Sequence, residues 1–274
     1  MVNVFGGTKR GPEGPPGERG PPGKKGRDAL NLIKWFPTLI LRELRQHVNR
    51  TSLLIENKDV DVTLDKNQVV KSWHSRSKKY PCSFTGYGGK LVDSSVTHQW
   101  GLLFDSKAMY QTNYELLSVG LYTCLTMTFS CENTKDRQYI INDYIPKRPF
   151  FRGISIHQNK MCLHGEKDNK EITICDIEEE NYYTIQILWK NYEHKEESWF
   201  TVYQDATIQV PKTNFTSNKL SSIVTQPVLS LGALDAVSGP SNYFSGIITN
   251  VDILLTKFEP PQEILTFVIE SQFM

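Results

Sequence analysis

Apolar and polar residues alternate in short runs from Thr51 to the end of the chain. "VDVTL" (Val60 to Leu64) alternates. In "YTCLTMTFSC" (Tyr122 to Cys131), Leu125, Met127 and Phe129 fall on one side, with Thr126, Thr128 and Ser130 on the other. "YYTIQILW" groups Tyr183, Ile185, Ile187 and Trp189. "WFTVYQDATIQV" sets Phe200 and Val202 against Trp199, Thr201 and Tyr203, and "GIITNVDILLT" runs from Gly246 to Thr256. A period of two predicts strands with one buried face. Polar stretches such as "SCENTKDRQ", "HGEKDNKE", "KNYEHKEES" and "SGPSN" separate them and predict turns. Many short strands of this kind predict an antiparallel β-sandwich over 51–274. One short helical piece is predicted near Gln262–Leu265.

Upstream the period changes. Leu30, Ile33, Phe36, Ile40, Leu44 and Val48 recur at steps of three and four, the stripe of an amphipathic helix. Pro37 suits a first helical turn, which predicts a short helix from about Pro37 to His47 within a segment 29–50. So short a helix is marginal alone. It serves either as a three-helix neck, the preferred reading, or as a helix folded onto the head.

Before it, Gly11, Gly14, Gly17, Gly20, Gly23 and Gly26 hold one phase of three. At average glycine usage, six in register arise by chance about once in 10⁷. Pro12, Pro15, Pro16, Pro21 and Pro22 fill places between them. Proline presets the extended polyproline backbone, and only glycine fits where three such chains share an axis. Residues 11–28 therefore predict a collagen-like triple helix of roughly 55 Å at ~3.1 Å per residue. The implied partner is the chain itself, as a homotrimer. Residues 1–10 precede the register and read as a flexible segment.

Composition narrows the function. Lys and Arg number 31 against 30 Asp and Glu, a net charge of +1, so no bulk field attracts nucleic acid. Basic clusters at Lys24-Lys25-Arg27 and Arg76-Lys78-Lys79 read as solvated faces, although Trp73 and Tyr80 flank the second. No apolar run reaches membrane-spanning length, and no signal peptide is evident at the start. The five cysteines, Cys82, Cys124, Cys131, Cys162 and Cys175, include no C-x-x-C pair and read as reduced, mostly buried thiols. A Cys162–Cys175 bridge across a hairpin is the alternative. Sequons stand at Asn49 and Asn214.

No hydrolase, zinc-protease, P-loop or Rossmann signature occurs. "GYGGK" (Gly86 to Lys90) reads as a loop. The histidines, His47, His74, His98, His157, His164 and His194, are scattered. Glycoside cleavage needs two facing carboxyl groups. The nearest acidic run, Glu178-Glu179-Glu180, reads as a solvated turn. No catalytic residue, metal ligand or cofactor site is assigned, and the chain is not read as an enzyme.

The C-terminal half of the head resembles laminin G-like or concanavalin A-like jelly rolls. The likeness rests on "YYTIQILWKN", "WFTVYQDATIQ", Leu229-Ser230-Leu231-Gly232 and the run from Phe244 to Ile253. It implies that Gly246 turns the chain tightly beside the sheet and that Phe244, Ile248 and Val251 fill core or near-core sites. The turn usually written vDG departs, with Gln204-Asp205-Ala206 in its place. Such domains often bind calcium at the rim, where Asp105 and Asp235 stand in rim loops, yet neither is assigned as a ligand. The layout as a whole resembles collagen-like proteins of arthropods and their virus-like mobile elements. That likeness rests on Gly26-Arg27-Asp28-Ala29-Leu30 followed by Trp35-Phe36-Pro37, and on "VVKSWHSRS", "QYIINDYI" and "FRGISIHQNKMCLHG". "GPPGER" (Gly14 to Arg19) resembles integrin-binding collagen hexapeptides, but Pro15 stands where those carry a hydrophobic residue.

The expected function is structural and adhesive: a trimeric stalk presents sandwich heads to a protein or glycan ligand, outside the cell or on a particle surface. The alternative is a lectin or glycoside-active domain on a collagen-like tether.

Overall fold

A computed structural model describes residues 49–55, 58–75, 83–94, 99–113, 122–144, 152–164, 170–190, 198–216, 228–234, 239–256, 259–260 and 262–270. The collagen-like segment 11–28, its flanks up to residue 48, Cys82, the Arg76-Lys78-Lys79 cluster and Asp235 lie outside them.

The described chain is almost all strand. It opens with β1 (Asn49–Leu54), α1 (Lys58–Asp61), β2 (Val62–Leu64), β3 (Val70–His74), β4 (Ser83–Tyr87) and β5 (Lys90–Ser94). Next come β6 (Gln99–Asp105), β7 (Met109–Asn113), β8 (Tyr122–Cys131), β9 (Gln138–Tyr144), β10 (Arg152–His157) and β11 (Lys160–His164). The chain continues through β12 (Ile172–Asp176), β13 (Tyr182–Lys190), β14 (Ser198–Gln204), β15 (Thr207–Phe215), β16 (Val228–Leu231), β17 (Ser245–Thr256) and α2 (Gln262–Glu270).

Two antiparallel sheets result. One has eight strands in the order β15-β14-β13-β8-β17-β6-β5, with β1 also paired to β17. The other has nine, in the order β12-β11-β10-β9-β16-β7-β4-β3-β2. The inner faces share one core, which is what alternation in both sheets requires. Leu125, Met127 and Phe129 of β8 meet Ile185 and Ile187 of β13 there, with Phe84, Tyr110, Ile154 and Ile156 from the other sheet. The expected mostly β, antiparallel jelly-roll-like sandwich is the fold.

Phe244, Ile248 and Val251 are fully buried, as the resemblance implied. Gly246 is required by a close approach: a Cβ there would lie 2.1 Å from the Ser130 carbonyl oxygen. Where a vDG turn was absent, Asp205 and Ala206 both adopt left-handed φ, 46° and 62°, in a two-residue hairpin turn.

Three expectations change. "GYGGK", expected as a loop, is strand at Gly86 and Tyr87 of β4 and at Lys90 of β5, with only Gly88 and Gly89 turning between them. Val60 and Asp61 are helical rather than extended, and strand begins only at Val62. The pairing with β3 begins at Val62, which faces Trp73, and Lys58–Asp61 form a helical turn before it. Val60 is left 63% exposed while Val62 takes the core position. The C-terminal helix runs on to Glu270, because Ile264, Leu265, Val268 and Ile269 form one buried stripe.

Cys124, Cys131, Cys162 and Cys175 are free. Cys162 faces Thr173 and Cys175 faces Met161, so the two thiols are not opposed and the bridging alternative does not form. Burial pushes the Cys124 and Cys162 thiols up to about 12 and Cys175 up to about 11.

Candidate functional site

The strand registers of the nine-stranded sheet set one outward row across eight strands. Thr63 faces Ser72, Ser72 faces Thr85, and Thr85 faces Gln111. Gln111 faces Ser230, Ser230 faces Asn142, Asn142 faces Gly153, and Gly153 faces His164. Every position is polar or glycine. The core residues Val62, Trp73, Phe84, Tyr110, Leu231, Ile141, Ile154 and Leu163 stand one place along their strands, on the opposite face.

The row has two halves. From β16 to β11 it is closed: Ser230, Asn142 and Ser155 are buried, and His164 nearly so. There Ser155 Oγ lies 2.7 Å from His164 Nε2, and the His164 ring tilts against Tyr139 at 5.3 Å. Burial, with the nearby Arg137 guanidinium, pulls His164 down to about 4 against the opposing pull of Glu171. Glu171 takes the Arg137 guanidinium at 2.9 Å. Burial alone would raise the Glu171 carboxyl, but hydrogen bonds from Cys162 and Arg137 hold it below its ordinary value. The Ser155–His164 pair invites a nucleophile reading, but a hydroxyl sealed from solvent meets no substrate.

From β2 to β7 the row is more open, although Ser72 within it is buried. Thr63 and Thr85 are exposed, and Ser83, His74 and Gln111 are half-buried. His74 is the hub: its Nε2 lies 2.7 Å from Ser72 Oγ and 3.1 Å from Thr63 Oγ1, and its Nδ1 lies 2.8 Å from Ser83 Oγ. Gln111 Nε2 donates to Ser230 Oγ at 3.3 Å, and Thr85 Oγ1 donates to the Gln111 carbonyl at 3.5 Å. Ser83, Thr85 and Tyr87 lie on one face of β4, so Tyr87 extends the same surface to its rim. Tyr87 is 49% exposed, and its hydroxyl lies 3.3 Å from that of Tyr243. The surface therefore combines hydroxyl, amide, imidazole and phenol groups, each able to donate or accept, with one aromatic ring open to solvent.

Few residues singled out in the sequence belong here. His74 does. His157 and His164 lie in the closed half, and His47, His98 and His194 fall outside the described residues. Asp105 sits at the rim, 3.9 Å from Lys90 Nζ. Glu178 and Glu180 are exposed, and Glu179 accepts from Thr134, so this run is a polar turn. Trp73 is fully buried and presents no face to a nucleic-acid base. Asn214 is exposed near the end of β15. Among the described residues, no three His, Cys, Asp or Glu groups converge as metal ligands, and no helix is long and apolar enough to cross a membrane. Thr63, Ser72, Ser83, Thr85, Tyr87 and Gln111 went unread in the sequence. Their one local signal is the alternation in "SFTGY", from Ser83 to Tyr87.

No family model matches the chain, and no curated protein matches it. Solved structures do. Trypanosoma rangeli sialidase in complex with the inhibitor DANA is similar over 88% of this chain, at 12% identity and a TM-score of 0.50. Domain 4 of AbnA, a GH43 extracellular arabinanase from Geobacillus stearothermophilus in complex with arabinotriose, is similar over 83%, at 11% identity and a TM-score of 0.50. Botulinum neurotoxin type C, whose cell entry depends on interaction with two ganglioside molecules, is similar over 85%, at 8% identity and a TM-score of 0.53. This chain spans 38% of the sialidase chain, 53% of the neurotoxin chain and all of the arabinanase domain. At these identities the likeness establishes the sandwich fold.

Proposed function

We propose that the chain is a structural and recognition protein in which a collagen-like stalk gathers three copies and each copy presents a laminin G-like head that binds a glycan. The observation that carries the binding half is the open surface formed by His74, its three hydroxyl partners, Thr85, Gln111 and the exposed Tyr87. Sugars present hydroxyls that both donate and accept, and C–H faces that stack on aromatic rings, so a neutral polar surface edged by a phenol suits them. The solved neighbours crystallised with arabinotriose, or acting with gangliosides, support the same ligand class. The stalk half rests on the phase of Gly11 to Gly26. Three weak sites on one stalk gain effective concentration, which suits adhesion outside a cell or on a particle surface.

Binding rather than turnover is the reading. Most glycosidases cleave with two facing carboxyl groups, and the open surface is built instead from hydroxyls, an amide, an imidazole and a phenol. No cofactor is assigned, so binding is expected to survive chelation by EDTA, and its loss would assign a rim cation.

A glycan array probed with the full chain tests the head: retention of at least one glycan class supports it, and an empty array contradicts it. Sedimentation tests the stalk separately. A mass three times the 31.4 kDa chain is expected, reduced by Gly17→Val, and a wild-type monomer contradicts it.

A further inference from the structure

We propose that the open face takes a neutral, linear oligosaccharide of about three residues, laid along β4 with one ring stacked on Tyr87. This rests on the glycan reading above and narrows its ligand.

Charge gives the class. The face positions described on β2, β3, β4 and β7 are Thr63, Ser72 and His74, Ser83, Thr85 and Tyr87, and Gln111 with the buried Met109 opposite Tyr87. None is a carboxylate, ammonium or guanidinium. A sugar carboxylate leaving water needs a charged partner to offset its lost hydration. A neutral sugar needs only directed hydroxyl and amide partners, and the exposed Thr63 and half-buried Ser83 hydroxyls beside His74 keep capacity beyond their bonds to the imidazole.

Length gives the size. From Ser83 to Tyr87, β4 advances four residues, about 13 Å at ~3.3 Å each. A pyranose ring is about as long as the ~4.8 Å spacing between strands. Three rings therefore fit between the His74 hub at one end and Tyr87 at the other. The two ends do different jobs. The hub offers hydroxyls, and Tyr87 offers a flat apolar face. The Tyr243 hydroxyl, from a segment 156 residues further along the chain, meets the Tyr87 hydroxyl and limits the swing of that ring before ligand arrives.

The competing class is an acidic glycan. Lys71, left over in the β3 irregularity, borders the row, and the β3–β4 connection carries Arg76, Lys78 and Lys79 in its sequence. Salt separates the two, because charge-led binding weakens as ions screen it.

The test is calorimetric titration of the full chain with arabinotriose, cellotriose and maltotriose, and separately with 3′-sialyllactose, at 50 and 500 mM NaCl. The expected result is binding of at least one neutral trisaccharide, unchanged within twofold by salt. Tyr87→Ala should weaken it at least tenfold, while Tyr87→Phe, which keeps the ring, should stay within about threefold. Thr85→Val, an exposed near-isostere, should weaken it severalfold with no change in melting temperature. Preference for sialyllactose that fades with salt and ignores Tyr87→Ala overturns the neutral assignment while leaving glycan binding intact. Failure of all four sugars alongside a positive array also overturns it, and failure of the array as well overturns the parent reading.

Discussion

The two sheets turn chemically similar backs outward, and the protein uses them in opposite ways. On the eight-stranded sheet the outward positions Thr126, Thr128, Thr184 and Gln186 are buried, and Leu188, Cys124, Trp199 and Leu254 pack under Ile264, Leu265 and Val268 of α2. Buried polar groups must find partners inside the protein, and these do. Thr128 and Thr184 hydroxyls meet at 2.8 Å, and Gln186 Nε2 donates to Thr126 Oγ1 and to the Leu265 carbonyl, each at 3.1 Å. On the nine-stranded sheet, Thr63, Thr85 and Gln111 keep access to solvent. Threonine and glutamine on one back lock a helix in place; on the other they lie where solvent reaches them. Residue type alone does not decide between structure and recognition; what covers the face does.

The largest expected effect lies under α2. Leu188 is fully buried there, so Leu188→Ala should cost about 2–5 kcal/mol, read as a lowered urea midpoint. A loss below ~1 kcal/mol would mean the helix does not seal that face.

The next effect sits in the closed half of the other sheet. His164 binds its proton less readily folded than unfolded, about 4 against 6.5, with Ser155, Tyr139, Arg137 and Glu171 around it. Its contribution is therefore complete above pH 6.5 and drains away as pH falls through 6.5 towards 4. His164→Gln should flatten the unfolding free energy over that window, and an unchanged slope would remove the assignment.

The two glutamines then form a matched pair. Gln186→Ala strands the Thr126 hydroxyl and the Leu265 carbonyl in a sealed interior and should cost about 1–3 kcal/mol. Gln111→Ala also removes a bond to a hydroxyl, that of the buried Ser230, but from a half-buried side chain whose place water can take, and should cost only ~0.5–1 kcal/mol. Equal losses in parallel melts would erase the distinction between the two faces.

What the sequence made legible follows the same divide. β8, β13 and β17 were readable because each lies between neighbouring strands and is at least nine residues long, and in β8 Leu125 to Cys131 alternate without a break. Their core partners Phe244, Ile248 and Val251 followed from one short run. The polar face was not readable. Its members come from β2, β3, β4 and β7, spread over residues 63 to 111, and only strand register brings them into a row. Spacing along a chain carries no trace of that. "VDVTL" misled for a related reason, since its alternation is the same whether Val60 and Asp61 close a helical turn or extend the strand. The helix α2 was half seen, because Ile264 and Leu265 announce it and Val268 and Ile269 extend it.

The central claim is that the exposed surface around Thr85 receives the ligand. The most direct measurement places an arginine there, Thr85→Arg, and another on exposed Gln209 of β15 in the opposite sheet, then compares retention of full-length protein on its best array glycan. The account predicts that Thr85→Arg abolishes retention at an unchanged melting temperature while Gln209→Arg keeps it. Full retention by Thr85→Arg would contradict it.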